Sequence, residues 1–98
     1  MRVIWSDRAL GRVEEIALFI AQDNDDAAVG WTLELFDAVE RLGEFPLSGK
    51  ASLEPQATGV RELVFGAYRV FYQVGTDVEI LSVRRGSELV GEDDLSGD

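Results

Sequence analysis

Apolar and polar positions alternate along the chain with two different periods, and the change of period marks the architecture. Between Val60 and Arg85, three short runs rich in β-branched and aromatic residues, 60–65, 68–74 and 78–85, are separated by Gly66-Ala67 and Gly75-Thr76-Asp77. Small, turn-prone residues let a chain reverse tightly, so these runs predict a three-stranded antiparallel meander. The alternation is not strict: Val70-Phe71-Tyr72 and Val78 with Ile80-Leu81 put apolar groups on both faces. Both faces of the sheet therefore need cover.

Upstream, the period lengthens to that of a helix. Arg2-Val3-Ile4-Trp5 reads as a first strand joining the sheet, and Ser6 is placed to cap a helix with Asp7 in its first turn. Ala9, Val13, Ile16 and Ile20, widened by Ala17 and Phe19, recur at spacings of three and four, with Arg12, Glu14 and Glu15 mainly on the other side. In the polar run from Gln22 to Asp26, Asn24 or Asp25 can cap a second helix. That helix presents Ala28, Trp31, Leu35, Ala38 or Val39, and Leu42, and Gly43 is expected as its left-handed C-cap. Two amphipathic helices joined by a short acidic link make a hairpin that closes over one sheet face. Little chain is left for the other face, and a partner is its natural cover.

The segment from Glu44 to Gly59, with Pro46 and Pro55, reads as a long loop, which in a small domain is more often functional than idle. The predicted order is β-α-α-β-β-β: an α+β fold with an N-terminal strand and a helical hairpin on one face of a small, mainly antiparallel sheet. One domain is expected over residues 1–86, and an acidic, flexible tail over 87–98.

Composition narrows the chemistry. The 98 residues suit one domain, and they include no cysteine and no histidine. A thiolate nucleophile, a disulfide framework, an imidazole base and a histidine zinc site are thereby excluded. No metal or cofactor is expected; Asp23, Asp25 and Asp26 lack the spacing of a calcium loop and suit capping. Residues 1–5 are too short an apolar run for a signal peptide and no run approaches a bilayer span, so a cytoplasmic protein with no membrane contact is expected. The formal charge of −10 repels phosphate backbones at long range, so direct nucleic-acid binding is disfavoured except through a local basic patch. Such a patch is on offer, because Arg61, Arg69, Arg84 and Arg85 all lie in the strand region.

With these elements in place, a resemblance emerges. Trp5-Ser6 with Ala9 and Ile16, Leu42-Gly43-Glu44-Phe45-Pro46, Ser48-Gly49-Lys50, Arg61-Glu62-Leu63, Tyr68-Arg69-Val70 with Tyr72, and Ile80-Leu81-Ser82-Val83-Arg84 resemble the RelE/ParE toxin superfamily over nearly the whole chain. The resemblance implies the toxin of a type II toxin–antitoxin module, held inactive by a cognate antitoxin that wraps an extended or helical segment around it. Its ParE branch implies DNA gyrase as target; its RelE branch implies cleavage of mRNA on the ribosome. A nuclease of the second kind would draw on Arg61, Arg84 and Arg85. No tyrosine or histidine follows the last strand here, and arginines stabilise charge well but shuttle protons poorly. The ParE-like reading, binding without catalysis, is therefore favoured. The nuclease and a degenerate, non-toxic antitoxin-binding module are the alternatives.

Candidate antitoxin- or target-binding residues are Arg61, Arg69, Phe71, Gln73, Arg84 and Arg85. Phe71 with Arg69 and Gln73 is expected on the face the hairpin leaves open, and Tyr68, Val70, Tyr72 and Val74 on the face it covers. Arg84 and Arg85, being adjacent, should point to opposite faces. Each has a plainer alternative: Arg61 can pair with a cross-strand carboxylate, and Tyr68, Tyr72, Trp5 and Trp31 can simply be core.

Overall fold

The computed structural model describes residues 1–54 and 58–96, and its elements follow the predicted order. Strand β1 is Val3–Trp5, helix α1 Asp7–Ala21, helix α2 Asp25–Glu40, and strands β2 to β5 are Lys50–Ala51, Arg61–Phe65, Tyr68–Val74 and Val78–Arg85. Short 3-10 turns occupy Arg41–Gly43 and Glu92–Leu95. The strands form one sheet in the order β1-β5-β4-β3-β2, antiparallel except where β1 runs parallel to β5.

Local chemistry fixes the helix starts. The Ser6 hydroxyl accepts from the Ala9 N–H at 3.0 Å and donates to the Leu81 carbonyl, tying the start of α1 to β5. Asn24 caps α2 by accepting from the Ala27 N–H. The stripes then meet the sheet: Ala9, Val13, Leu35, Val39 and Leu42 bury against Val70, Tyr72, Val78, Ile80 and Val83. Trp5 packs edge-on to Phe36, and Trp31 edge-on to Tyr68.

Two glycines serve close approach. Gly43 is not the left-handed C-cap expected, since positive φ occurs among the described residues only at Gly59 and Gly66. Instead α2 tightens into its 3-10 turn, and a Cβ on Gly43 would meet the Met1 carbonyl at 2.6 Å, where the chain's ammonium donates to the Gly43 carbonyl. At Gly49 a Cβ would meet the Glu62 carbonyl and the Tyr72 hydroxyl. That hydroxyl is a tether for the 44–59 segment, donating to the Pro46 carbonyl at 2.9 Å and accepting from the Gly49 N–H at 2.9 Å. The segment is thus less of a free loop than expected, for it also carries β2. Pro55 lies outside the described residues.

The register of β4 on β5 slips between Phe71 and Tyr72, which pair with Ser82 and Ile80. Leu81 is the extra residue of a β-bulge, so Leu81 and Ser82 both turn to the face away from the helices. Phe71, Leu81, Val60 and Leu95 form a second small core there. The chain's own end covers this face: Asp94 is 1% and Leu95 8% exposed. The described part of the 87–98 segment is therefore not the free tail that its acidic composition suggests. Two apolar side chains, Val90 and Leu95, and one carboxylate with several donors dock it.

Candidate functional site

Strand register decides which candidate residues can act together. Arg69 pairs across with Arg84, and Phe71 with Glu62 and Ser82, so these share the face away from the hairpin. Arg61 pairs with Tyr72, and Arg85 with Tyr68, which puts both on the hairpin side at different places along it. The four strand arginines are thus not one patch, and Arg84 and Arg85 do diverge as alternation requires.

On the face away from the hairpin, the arginines are already engaged. Arg69 donates to Glu54 at 2.9 Å and lies 3.5 Å from Glu62, with its guanidinium over the Phe71 ring. Arg84 reaches Asp94 through Nε and Glu88 through Nη1, both at 3.0 Å. Asp94 also accepts from the Ser82 hydroxyl at 2.6 Å, the Gly91 N–H at 3.2 Å and Arg12 at 3.3 Å. Burial pushes the Asp94 carboxyl up, but the bonds from Ser82, Gly91 and Arg84 outweigh it and hold the group below its ordinary value. Arg84 shifts the opposite way: burial lowers it, and Asp94 and Glu88 more than restore it. Gln73 donates to Glu79 at 3.0 Å.

Phe71 faces away from the helices as expected, yet it is not the open contact surface foreseen. It is 0% exposed, because Leu81 of the bulge and Leu95 of the chain end close over it. Among the described residues Arg61 pairs with no carboxylate; it donates to the carbonyls of Leu47 and Gly49, bracing the loop that Tyr72 tethers. Arg85 differs from the rest. It is exposed, has no ion-pair partner among the described residues, and lies over the Phe19 ring at 5.7 Å. With Glu15, Ile16, Tyr68 and Glu88 it borders a shallow pocket.

Sequence reasoning passed over one further surface. On the outer side of the hairpin, Ala17, Leu18, Ala21, Ala28, Val29 and Leu33 line an apolar groove of about 430 Å³ with Glu14 and Asp25 at its rim. Leu18, Val29 and Leu33 are each about 60% exposed. The signal was present, since Leu18 on α1 and Val29 and Leu33, four apart on α2, fall off the core stripes. Among the described residues no group of acidic side chains could hold a metal ion, and no helix is long and apolar enough to cross a membrane.

The chain thus places a helical hairpin on one face of a small mixed sheet, with Arg61, Arg69 and Arg84 held by carboxylates and carbonyls. The chain belongs to the ParE toxin family of type II toxin–antitoxin systems, parDE, whose family model matches residues 3–90. It is 38% identical over 84 residues, 84% of each chain, to "Putative toxin Y4kP" of Sinorhizobium fredii. A solved structure of the chromosomal ParDE toxin–antitoxin system from P. aeruginosa has the same fold, with a TM-score of 0.73 at 21% identity, covering 87% of this chain and 95% of that one. The α+β order of elements and the mainly antiparallel sheet expected from the sequence are therefore shared with this solved structure.

Proposed function

We propose that this protein is a ParE-like toxin that acts by binding its target, DNA gyrase, and is neutralised by a cognate antitoxin. The observation that carries the reading is the engagement of the sheet arginines. Arg69 and Arg84 face Glu54, Glu62, Glu88 and Asp94, while Arg61 is spent on two carbonyls. Stabilising a phosphorane-like transition state needs donors aimed at the incoming phosphate and a group that moves a proton. Paired with carboxylates or spent on carbonyls, Arg61, Arg69 and Arg84 suit neither task in a chain without histidine.

Binding has better footing. The outer hairpin groove takes the apolar side of an amphipathic helix, and Glu14 and Asp25 favour basic residues flanking it, so it is the surface we assign to an antitoxin helix. The exposed Arg85, on the other side of α1, is left for the target. Arg61, Arg69, Phe71, Gln73 and Arg84 are bonded or buried in the unbound protein and belong to neither of these two surfaces.

Induced expression, with and without the neighbouring antitoxin gene, tests the proposal. Growth arrest with DNA-damage signalling, relieved by co-expression, is the expected result. Arrest with ribosome-dependent mRNA cleavage would overturn it in favour of the RelE-like nuclease.

A further inference from the structure

The face of the sheet away from the hairpin is covered by the chain's own 88–96 segment, which is held there by side-chain contacts, with Val90 and Leu95 on the apolar cluster and Asp94 among its donors. The turn Glu92–Leu95 has four residues, too few to be stable as a helix alone, and it is reached through 86–91, where Leu89 is 94% exposed. Its two buried anchors are adjacent. Asp94 takes hydrogen bonds from Ser82, Arg84 and Arg12, and Leu95 lies on the cluster of Phe71, Leu81 and Val60. Arg8 adds a bond to the Asp93 carbonyl. Beneath sits a fixed combination: an apolar floor beside convergent donors. Arg12 Nε and Arg69 Nε, both buried, have no hydrogen-bond partner among the described residues, so donor capacity remains unused.

We propose that this face is a peptide-binding surface for a partner segment in which an acidic residue is followed directly by an apolar one, and that Asp94-Leu95 occupies it in the unbound protein as a removable stand-in. The chain's own segment is the template for the ligand. A carboxylate entering beside Ser82 and Arg84 replaces that of Asp94, an apolar side chain replaces Leu95, and residues 91–96 lift off. Because the stand-in is tethered, a partner competes against it; a segment docked nine-tenths of the time reduces apparent affinity about tenfold. The surface is thereby selective for segments that match both anchors, since either alone must displace two.

The test needs only this protein. A labelled peptide of residues 88–98 is titrated by NMR into the full chain and into the full-length double variant Asp94→Asn, Leu95→Ser, whose stand-in is weakened. The expected result is binding to the variant at least tenfold tighter than to the unmodified chain, with shifts at Phe71, Ser82 and Arg84, and none from a peptide carrying the same two substitutions. Equal binding to both chains, or no binding to a folded variant, would overturn the proposal. Should the variant not fold, hydrogen exchange on the unmodified chain decides. Amides of 91–96 should exchange at least a hundredfold faster than those of β4 and β5, whereas equal protection would mean the segment does not lift. Neither readout depends on a gyrase or antitoxin.

Discussion

Replacing Tyr72 by Phe keeps the buried ring and removes only the hydroxyl that ties the 44–59 segment to the sheet. That oxygen makes two hydrogen bonds of 2.9 Å, to the Pro46 carbonyl and from the Gly49 N–H. Without it the buried Gly49 N–H has no partner, and an unsatisfied buried donor costs about 1–3 kcal/mol. The substitution is otherwise isosteric, so no cavity term is added and the expected loss is about 2 kcal/mol. For a domain of this size that lowers Tm by roughly 8–16 °C. Urea unfolding followed by far-UV circular dichroism, with thermal scans at fixed salt, measures it. The half-exposed Tyr68→Phe is the control, with a change of no more than about 0.5 kcal/mol. A Tyr72→Phe loss below about 0.5 kcal/mol would refute the view that this hydroxyl organises the loop and, through the carbonyls of Leu47 and Gly49, the position of Arg61.

Other consequences can be measured alongside. Asp94 is held below its ordinary pKa when folded, so its stabilisation is complete above the unfolded carboxylate value, about 3.9, and is lost as pH falls through the lower folded value. Acid titration of stability should therefore be less steep in Asp94→Asn than in the unmodified chain below about pH 4; identical slopes would contradict the bonding described. Leu33→Asp, at a position 61% exposed, should change stability by no more than about 0.5 kcal/mol while lowering antitoxin affinity at least tenfold in calorimetry. Phe71→Ala should cost about 3–5 kcal/mol in denaturant unfolding, because the side chain is core.

The sequence made the order of elements, the Ser6 cap, a second cap at Asn24 or Asp25 and the two faces of β4 legible, because each follows from a local rule of period or capping. Phe71 opposite Val70 and Tyr72 is such a case. What covers Phe71 was not legible: docking of Leu95 depends on the bulge at Leu81, which turns two successive residues to one face, and no local pattern announces it. Gly43 misled for the same reason. A glycine after a helix reads as a left-handed cap, yet here it admits the backbone of Met1, distant in sequence. The arginines were found, but their partners Glu54, Glu88 and Asp94 lie on segments whose paths the sequence does not specify. The outer stripe Leu18, Val29 and Leu33 was readable and was masked by the core stripes beside it.

The most direct measurement of binding without catalysis uses the purified, antitoxin-free protein in two parallel reactions, DNA supercoiling by gyrase and a defined mRNA on translating ribosomes. Inhibition of supercoiling that is lost on adding the antitoxin, with the mRNA left intact at the same toxin concentration, is the predicted result. Ribosome-dependent cleavage of the mRNA, abolished by Arg61→Ala or Arg85→Ala and unaccompanied by any effect on gyrase, would contradict it.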